Sequence, residues 1–323
     1  MMKPANLTCG GSLTMRVTRP EIVAFVVMLI IFAIGPLFVY PILLMQIMCF
    51  AMFACAFNLL IGHVGLLSFG HALFFGWASY LTAYVAKDWG LPPEVAIIIG
   101  TAAAALLGFI VGLLAIRRQG IYFAMVTLAL AQMMYFAAVR LSFTGGEDGI
   151  QSVPRGRMFG VIDLSNPTLL YAVVFLIFIG TFLLIYRIVH SPFGEVLKAI
   201  RENESRAISL GYKTEQYKFF AFVLCAALSG LAGSTKAIVL QIASLTDVSW
   251  HMSGEIVLIC LVGGLGTIFG PVVGAFVILP LQNSLSWMGE WVPGVQGVIF
   301  VVCVLVFRRG FIGELAQRLR IKL

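Results

Sequence analysis

Long apolar stretches alternate with short polar ones along almost the whole chain. Most of the apolar stretches are long enough for a helix that crosses a bilayer, and lipid leaves helices as the simplest way to pair their backbone groups. The ten runs are Ile22–Tyr40, Ile42–Ile61, Gly70–Ala86, Val95–Ile116, Ile121–Val139, Thr168–Val189, Phe219–Leu240, Ile256–Val262, Val272–Leu285 and Val295–Phe307. The run Ile256–Val262 is far below the roughly 20 residues of a full crossing, so the pattern predicts a re-entrant or broken helix there.

One long polar interruption, Arg187–Lys218, separates two of these runs. Within it, four apolar residues at helical spacing predict an amphipathic helix outside the membrane, with charged residues on its opposite face. The apolar residues are Phe193, Val196, Leu197 and Ile200, and the charged ones are Glu195, Lys198, Arg201 and Glu202. The stripe favours a surface that a soluble partner covers. The alternative is an ordinary solvated loop.

Capping residues divide the interruption into short elements. Ser191 is a typical N-cap and Pro192 suits the first helical position. Asn203 is predicted to cap a second short turn that runs through Ile208. Gly211 is a typical C-terminal stop, and Thr214 is predicted to cap the next apolar run.

Composition excludes a soluble globular domain. Hydrophobic residues make up 61% of the 323 positions and charged residues 11%, whereas soluble domains are about 25% charged. We therefore expect an all-α polytopic membrane protein with about 8–10 transmembrane helices, some of them short or broken. The expected organisation is a cytoplasmic tail over residues 1–21, one transmembrane domain over 22–307 with a cytoplasmic loop at 190–217, and a cytoplasmic tail over 308–323.

The distribution of lysine and arginine predicts the orientation. With a cytoplasmic N-terminus and ten crossings, 16 of the 21 basic residues lie on the cytoplasmic side. The outer side keeps Lys87, Arg140, Arg155, Arg157 and Lys236. Orientation in a membrane therefore accounts for the net charge of +7, and a nucleic-acid partner is not needed to explain it.

No charged residue lies in the middle of an apolar run, whereas ion-coupled carriers commonly place ionisable groups at that depth. The phosphate-binding motif G-x-x-x-x-G-K-[ST] is also not in the sequence. We therefore expect a transport component that is not an enzyme, binds no cofactor and takes its energy from a partner. Five of the six cysteines lie in apolar runs without CxxC spacing, which predicts small buried side chains and no metal site.

Two glycine-rich stretches interrupt the helical pattern, GHVGLLSFGHALFFG from Gly62 and GGLGTIFGPVVG from Gly263. Their similar spacing and predicted cytoplasmic location suit a parallel internal repeat, although glycines also let helices pack closely. The predicted helix breaks are at Gly62, Gly65, Gly70, Gly263, Gly264, Gly266 and Gly270. Because irregular backbone at membrane depth lines protein or water, Ser68 and His71 are candidates for a translocation pathway, with simple packing as the alternative.

A third stretch, TGGEDG, precedes the sixth run in a predicted outer segment. Glycines and acids in this density predict a tight surface turn. The turn is also a candidate docking surface for an extracytoplasmic partner. Its residues are Thr144, Gly145, Gly146, Glu147, Asp148 and Gly149.

Six stretches in this order resemble one family. They are FNLLIGHVGLLSFGHALFFG, RRQGIYFAMVTLALAQ, TGGEDGI, SPFGEVLKAIRENESRAISLGY, FAFVLCAALSGLAG and VGGLGTIFGPVVGA, and they extend from Phe57 to Ala275. Together they resemble the LivM-type permease subunit of branched-chain amino acid ABC importers. The resemblance implies an inner-membrane subunit that pairs with a LivH-like second permease, two cytoplasmic ATPase subunits that hold ATP and Mg²⁺, and a periplasmic amino-acid-binding protein.

In that family the charged loop is a coupling helix that sits in a groove of the ATPase. The pattern A-I-R-E-N-E-x-x-A-x-x-L-G is matched by Ala199, Ile200, Arg201, Glu202, Asn203, Glu204, Ala207, Leu210 and Gly211. The resemblance places Phe193, Val196, Leu197 and Ile200 in the groove, with Arg201, Glu202 and Glu204 setting register. Ser205 and Arg206 depart from the Glu-Ala-Ala pattern of the wider group of importers. No ATPase contact is therefore assigned to these two residues.

The function expected from the resemblance is ATP-driven uptake of leucine, isoleucine, valine or similar amino acids. Related permeases carry urea, short amides or sugars, which remain alternatives for the substrate. A stand-alone channel or facilitator for a small polar solute is the alternative of another class. It would account for the uncharged runs but not for the amphipathic helix, and it would be active without ATPases.

Overall fold

The computed structural model describes residues 19–118, 120–158, 160 and 162–285, together with scattered positions between 289 and 311. Eleven α-helices and four two-residue strands make up this part of the chain. The helices are α1 Arg19–Ile34, α2 Pro41–Asn58, α3 His71–Lys87, α4 Pro93–Ala115, α5 Ile121–Arg140, α6 Pro167–Val189, α7 Pro192–Glu202, α8 Glu204–Ser209, α9 Thr214–Leu240, α10 Trp250–Gly263 and α11 Gly270–Leu285. The strands are β1 Ile150–Gln151, β2 Arg157–Met158, β3 Ile162–Asp163 and β4 Ile242–Ala243.

The first nine apolar runs form helices, which confirms the all-α membrane architecture. Within the described residues, five helices are long and apolar enough to cross a membrane: Pro41–Val64, Pro93–Ala115, Ile121–Arg140, Pro167–Val189 and Thr214–Leu240. Shorter apolar helices cover Glu21–Leu37, Trp250–Gly263 and Gly270–Leu285. The tenth run, the N-terminal tail and the end of the C-terminal tail lie largely or wholly outside the described residues.

Successive helices run between two ends of the bundle. At one end, which we call the α7 end, the hydroxyl of Tyr186 donates a hydrogen bond to Glu21, so α1 begins where α6 finishes. At the opposite end, Tyr171 donates to the backbone oxygen of Phe32 over 2.5 Å. Strand β1 pairs with β4 at that opposite end, beyond the last residue of α9.

Helix α9 is the centre of the packing, because α2, α3 and α4 all lie against it. Glycines make this closeness possible. A Cβ on Gly108 would lie 2.3 Å from that of Ala226, and one on Gly230 would lie 2.2 Å from that of Ala104. Membrane helices associate through such small residues because apolar side chains gain little by leaving lipid.

After α9 the chain folds back into the bundle. Gln241 adopts a left-handed conformation, β4 follows, and a 3-10 turn at Leu245–Val248 packs against α3. A Cβ on Gly76 would lie 2.4 Å from the Val248 side chain and 2.8 Å from its backbone nitrogen, so this close approach requires glycine. Helix α10 then begins inside the bundle and ends at the α7 end. Its 14 residues are therefore enough to join the fold-back to the second glycine break.

Lys236 is not an exposed outer residue, contrary to the position that the basic-residue distribution predicted. It lies inside α9, and its ammonium group donates to both carboxylate oxygens of Asp247, at 2.6 and 2.5 Å. Both side chains are buried, with exposed fractions of 7% and 2%. The fold-back supplies the carboxylate, which is why a basic residue is tolerated at this depth.

Candidate functional site

The polar interruption folds as two short helices, as its capping residues predict. The Ser191 hydroxyl accepts a hydrogen bond from the backbone N–H of Gly194, and the Asn203 side chain accepts one from that of Arg206. Gly211 follows α8 with a φ of 91°, a conformation that favours glycine. The predicted cap at Thr214 is wrong, since Thr214 is the first residue of α9 and Lys213 occupies the N-cap.

The apolar stripe of α7 packs against the chain's own helices. Leu197 is fully buried and Ile200 is 3% exposed, whereas Phe193 and Val196 are partly exposed. The ring of Phe193 stacks on Tyr217 of α9 with centroids 5.7 Å apart. The stripe therefore attaches α7 to the bundle, and two of its four residues have no surface left for another protein.

The exposed face of α7 and α8 points away from the bundle. Glu195, Ala199 and Glu202 are exposed along α7. Beyond them, Ile208 is 56% and Leu210 71% exposed, although both are large apolar residues. This outward surface combines charge with apolar area, which is typical of a protein contact.

Glu204 is held by an ion pair. Its carboxylate accepts a hydrogen bond of 2.5 Å from the ammonium group of Lys218 in α9, whose side chain is 7% exposed. Ala207 of α8 is buried beneath the pair. Glu204 and Ala207 therefore fix α8 to the start of α9, and the angle between α7 and α8 is defined by the bundle.

The two glycine-rich breaks, about 200 positions apart in sequence, meet at the α7 end. The first follows a π-helical turn over Leu59–Val64 and the second lies between α10 and α11. Asn58 joins them: its side-chain amide donates to the backbone oxygen of Thr267 over 2.8 Å and its oxygen accepts from the backbone N–H of Gly266 over 3.0 Å. A Cβ on Gly62 would lie 2.8 Å from the Gly266 nitrogen, so only glycine allows the contact.

Arg201 connects α7 to this meeting point. Its guanidinium group donates a hydrogen bond to the backbone oxygen of Gly62. A Cβ on Gly266 would lie 3.1 Å from the same guanidinium group, and one on Gly65 would lie 3.2 Å from the Arg201 side chain. We call Asn58, Gly62, Arg201 and Gly266 the break junction. It places the Arg201 side chain of α7 beside both breaks.

The remaining predicted break residues surround the junction. A Cβ on Gly263 would lie 1.9 Å from the Gly270 backbone oxygen, so these two close the second break, with Gly264 between them at a φ of 120°. A Cβ on Gly70 would lie 2.7 Å from the Thr127 oxygen of α5. The first break is therefore packed against α5 as well as against the second break.

Ser68 and His71 are both buried inside the chain. The Ser68 hydroxyl accepts a hydrogen bond from the backbone N–H of Gly70 over 3.2 Å. The imidazole of His71 meets three aromatic rings edge-on, with centroids 5.1 to 5.7 Å away, and neither ring nitrogen has a hydrogen-bond partner in the described part of the chain. In this conformation, both side chains are enclosed by the protein, with an exposed fraction of 0%.

The TGGEDG stretch forms a tight turn at the opposite end. Gly145, Gly146 and Gly149 have φ angles of 77°, 63° and 67°. The hydroxyl of Thr144 is buried and donates to the backbone oxygen of Leu141 over 2.6 Å, while Glu147 and Asp148 are exposed. The turn therefore presents two carboxylates on a rigid loop next to the β1–β4 pair.

Sequence patterns identified the break glycines but not the residue that joins them. Asn58 lies in the second apolar run, and no spacing relates it to Gly266. A polar side chain within an apolar run was the one available signal, because such a residue needs a partner. Arg201 was assigned to register with a partner, whereas the structure directs it to the backbone of this chain.

Comparison with known proteins gives a consistent family. The family model described as "Branched-chain amino acid transport system / permease component" matches residues 39–307. The high-affinity branched-chain amino acid transport system permease protein LivM of Escherichia coli K12 is 24% identical over 298 residues, which are 85% of this chain and 70% of that protein. No solved structure matches the chain.

Two further relatives match a smaller part of the chain, and one of them is named for another substrate. The probable branched-chain amino acid transport permease protein LivH of Methanocaldococcus jannaschii is 31% identical over 120 residues, 36% of this chain and 35% of that protein. The ribose import permease protein RbsC of Escherichia coli K12 is 25% identical over 224 residues, 66% of this chain and 70% of that protein.

Proposed function

The chain belongs to the branched-chain amino acid transport system permease family, and we propose that it is the permease subunit of an ATP-driven importer for leucine, isoleucine, valine or similar hydrophobic amino acids. The observation that carries the proposal is the family match over residues 39–307, together with the longer match to LivM than to the ribose permease. Family membership alone does not determine a substrate, so the amino-acid class is part of the proposal.

The proposed assembly contains a second, LivH-like permease, two cytoplasmic ATPase subunits that bind ATP and Mg²⁺, and a periplasmic amino-acid-binding protein. It lies in the bacterial inner membrane, with the α7 end and both termini in the cytoplasm. In this orientation the turn with Glu147 and Asp148 faces the periplasm, where the binding protein approaches it. The bias of 16 basic residues to 5 supports the orientation.

The geometry of α7 and α8 suits the coupling of ATP hydrolysis to movement of the bundle. Buried Leu197 and Ile200 attach the helix pair to the chain, and Arg201 attaches it to the break junction. The open surface with Glu202, Ile208 and Leu210 is then the part that the ATPase groove receives. Coupling between sites requires such contiguous packed elements with more than one arrangement, and two helix breaks at one point provide them.

The test is reconstitution of the complete assembly in proteoliposomes. We expect uptake of labelled leucine only when ATP is present on the side of the membrane that carries the ATPases. We expect no uptake when the ATPases carry a substitution that disables hydrolysis. Leucine uptake by this chain without ATPases would establish a facilitator instead. ATP-dependent uptake of ribose or urea with no uptake of leucine would keep the importer and replace its substrate class.

A further inference from the structure

A groove opens between the middle of the bundle and the end opposite α7, where α5, the 3-10 turn Leu245–Val248 and the beginning of α10 meet. It has a volume of about 390 Å³. Polar and apolar side chains line it together: Tyr135, Leu245, Thr246, Ser249, His251, Met252 and Glu255. None of these residues belongs to the break junction or to the surface proposed for the ATPase.

Glu255 is the charged group at the inner side of the groove. Its carboxylate takes a side-chain hydrogen bond from Gln282 of α11. In the described part of the chain it forms no ion pair, and the buried ammonium group of Lys236 is bound to Asp247. A carboxylate in apolar surroundings favours a cationic partner, and here the groove offers the space for one.

The other side chains that line the groove are mostly apolar or carry hydroxyl groups. Leu245 and Met252 present apolar side chains, and Met adapts readily to aliphatic groups of different shape. The hydroxyls of Thr246 and Ser249 also line the groove, and both already form hydrogen bonds within the chain, with the Ser244 hydroxyl and the Thr246 backbone oxygen. A solute with an ammonium group and a compact aliphatic side chain therefore has a complementary group for each of these two parts.

Helix α5 extends the groove along an uncovered face. The exposed residues of α4 and α6 are mostly large aliphatic side chains, such as Ile98, Leu106, Leu113, Leu176 and Leu183, as expected for contact with lipid. The exposed face of α5 is more mixed, because it carries Tyr122, Met125, Ala129, Met133 and Phe136 beside Ile121 and partly exposed Gln132. A face with amide, thioether and aromatic groups suits a solute route better than lipid tails.

We propose that this groove is a substrate subsite, in which Glu255 binds the ammonium group of an aliphatic α-amino acid and Leu245 and Met252 contact its side chain. The inference rests on the proposed function, and it names the residues that would bind the substrate of the proposed importer. In the proposed orientation the groove lies between the middle of the bundle and its periplasmic end, on the side from which a solute released by a binding protein enters. Tyr135 then connects the subsite to the open face of α5.

Photo-crosslinking tests the site directly. The complete assembly in proteoliposomes is incubated with photo-leucine, irradiated, and digested for mass spectrometry. We expect labels on residues 245–255 or on α5 near Tyr135, and competition by unlabelled leucine. Glu255→Gln is expected to reduce both labelling and leucine uptake at least tenfold, the effect of losing a charge-assisted contact. Asp88→Asn is the control, because it removes an exposed carboxylate at the same end and is expected to change neither.

A second variant keeps the test decisive if Glu255→Gln impairs assembly. Met252→Trp fills the apolar side of the groove and leaves the carboxylate in place, and it is also expected to reduce labelling and uptake tenfold or more. Wild-type uptake by both variants, or labels confined to other parts of the chain, would overturn the subsite while leaving the importer intact. Absence of labelling in an assembly that transports leucine would also overturn it. An assembly that transports no leucine would refute the proposed function instead.

Discussion

Arg201 of α7 donates a hydrogen bond to the backbone oxygen of Gly62, a residue 139 positions earlier in the chain. The acceptor lies where two glycine-rich breaks touch, so a side chain of the surface helix reaches the point at which both membrane segments lose helical structure. This hydrogen bond attaches α7 directly to the first break.

Arg201→Ala should weaken coupling more than assembly. The variant loses a charge-assisted hydrogen bond worth about 1 to 3 kcal/mol but no buried apolar area. We expect the ATPases to remain bound while the number of leucine molecules transported per ATP falls several-fold. Lys213→Ala is the control, since its exposed side chain makes no hydrogen bond or ion pair in the described part of the chain. Equal stoichiometry in both variants would contradict a role for the junction.

The two faces of the α7–α8 pair should respond differently to a carboxylate. Leu197→Asp and Ile200→Asp bury a charge inside this chain, which should cost several kcal/mol and lower the thermal stability of the permease even without ATPases. Ile208→Asp should leave that stability unchanged and weaken ATPase binding, because Ile208 is 56% exposed. Fluorescence-detected thermal unfolding measures the first effect and pull-down of the ATPases the second.

Glu195→Ala and Lys198→Ala are the matched controls for the thermal unfolding of these variants. The two residues form an exposed ion pair of 2.8 Å, whose loss should cost no more than about 1 kcal/mol. If Leu197→Asp unfolded at the wild-type temperature, α7 would not be packed on the bundle as described. If Ile208→Asp bound ATPases normally, the outward surface would not be the contact.

Single cysteines should report the orientation of the bundle. In a background without reactive native cysteines, positions 117 and 198 should react in intact cells with membrane-permeant thiol reagents only. Position 148, in the exposed turn at the opposite end, should react with an impermeant reagent. Labelling of position 198 from outside would reverse the proposed orientation and move the α7 end to the periplasm.

His71 and Ser68 test whether the first break borders the solute route. His71→Phe keeps the aromatic packing with Phe57, Phe74 and Phe222 but removes both ring nitrogens. If another conformation exposes His71 to solute, uptake should fall several-fold while assembly is retained, and Ser68→Ala should lower it as well. Unchanged uptake in both variants would leave the two residues with a packing role.

Lys236→Met should destabilise the chain strongly. It leaves the Asp247 carboxylate buried at 2% exposure without its ammonium partner, a change that typically costs about 3 to 5 kcal/mol. The double variant with Asp247→Asn should recover much of that loss, because no unpaired charge remains. Lys87→Met, at an exposed position of the same end, is the control. Thermal unfolding of the purified permease measures all three, and a mild effect of Lys236→Met would mean that water reaches the pair.

The helices were largely predictable because each is encoded locally. Apolar runs specify membrane helices by length, and Ser191 and Asn203 specify the starts of α7 and α8 through their own side chains. The boundary of α10 was missed because its first turns, from Trp250 to Glu255, are too polar to extend an apolar run. Thr214 was misassigned because a threonine is equally acceptable inside the first turn of a helix.

Tertiary partners were not predictable in the same way. The stripe of Leu197 and Ile200 predicts a helix with one buried face, but an amphipathic pattern does not state which surface covers it. The charge of Lys236 suggested solvent because its partner, Asp247, reaches it only through a fold-back that no periodicity signals. Contacts between Asn58 and Gly266 likewise join segments far apart in sequence, and only the packed structure brings them together.

The pairing of Lys236 with Asp247 also has a consequence for the order of events during biogenesis. Lys236 is synthesised before the carboxylate that neutralises it, so α9 enters the membrane while its ammonium group is still alone. Because Lys236 lies four positions from the end of α9, its long side chain can reach the aqueous interface during that interval. We expect the helix to reach its final depth only when residues 245–248 follow and the pair closes. Insertion of this segment would then be completed after its own translation, by the next part of the nascent chain.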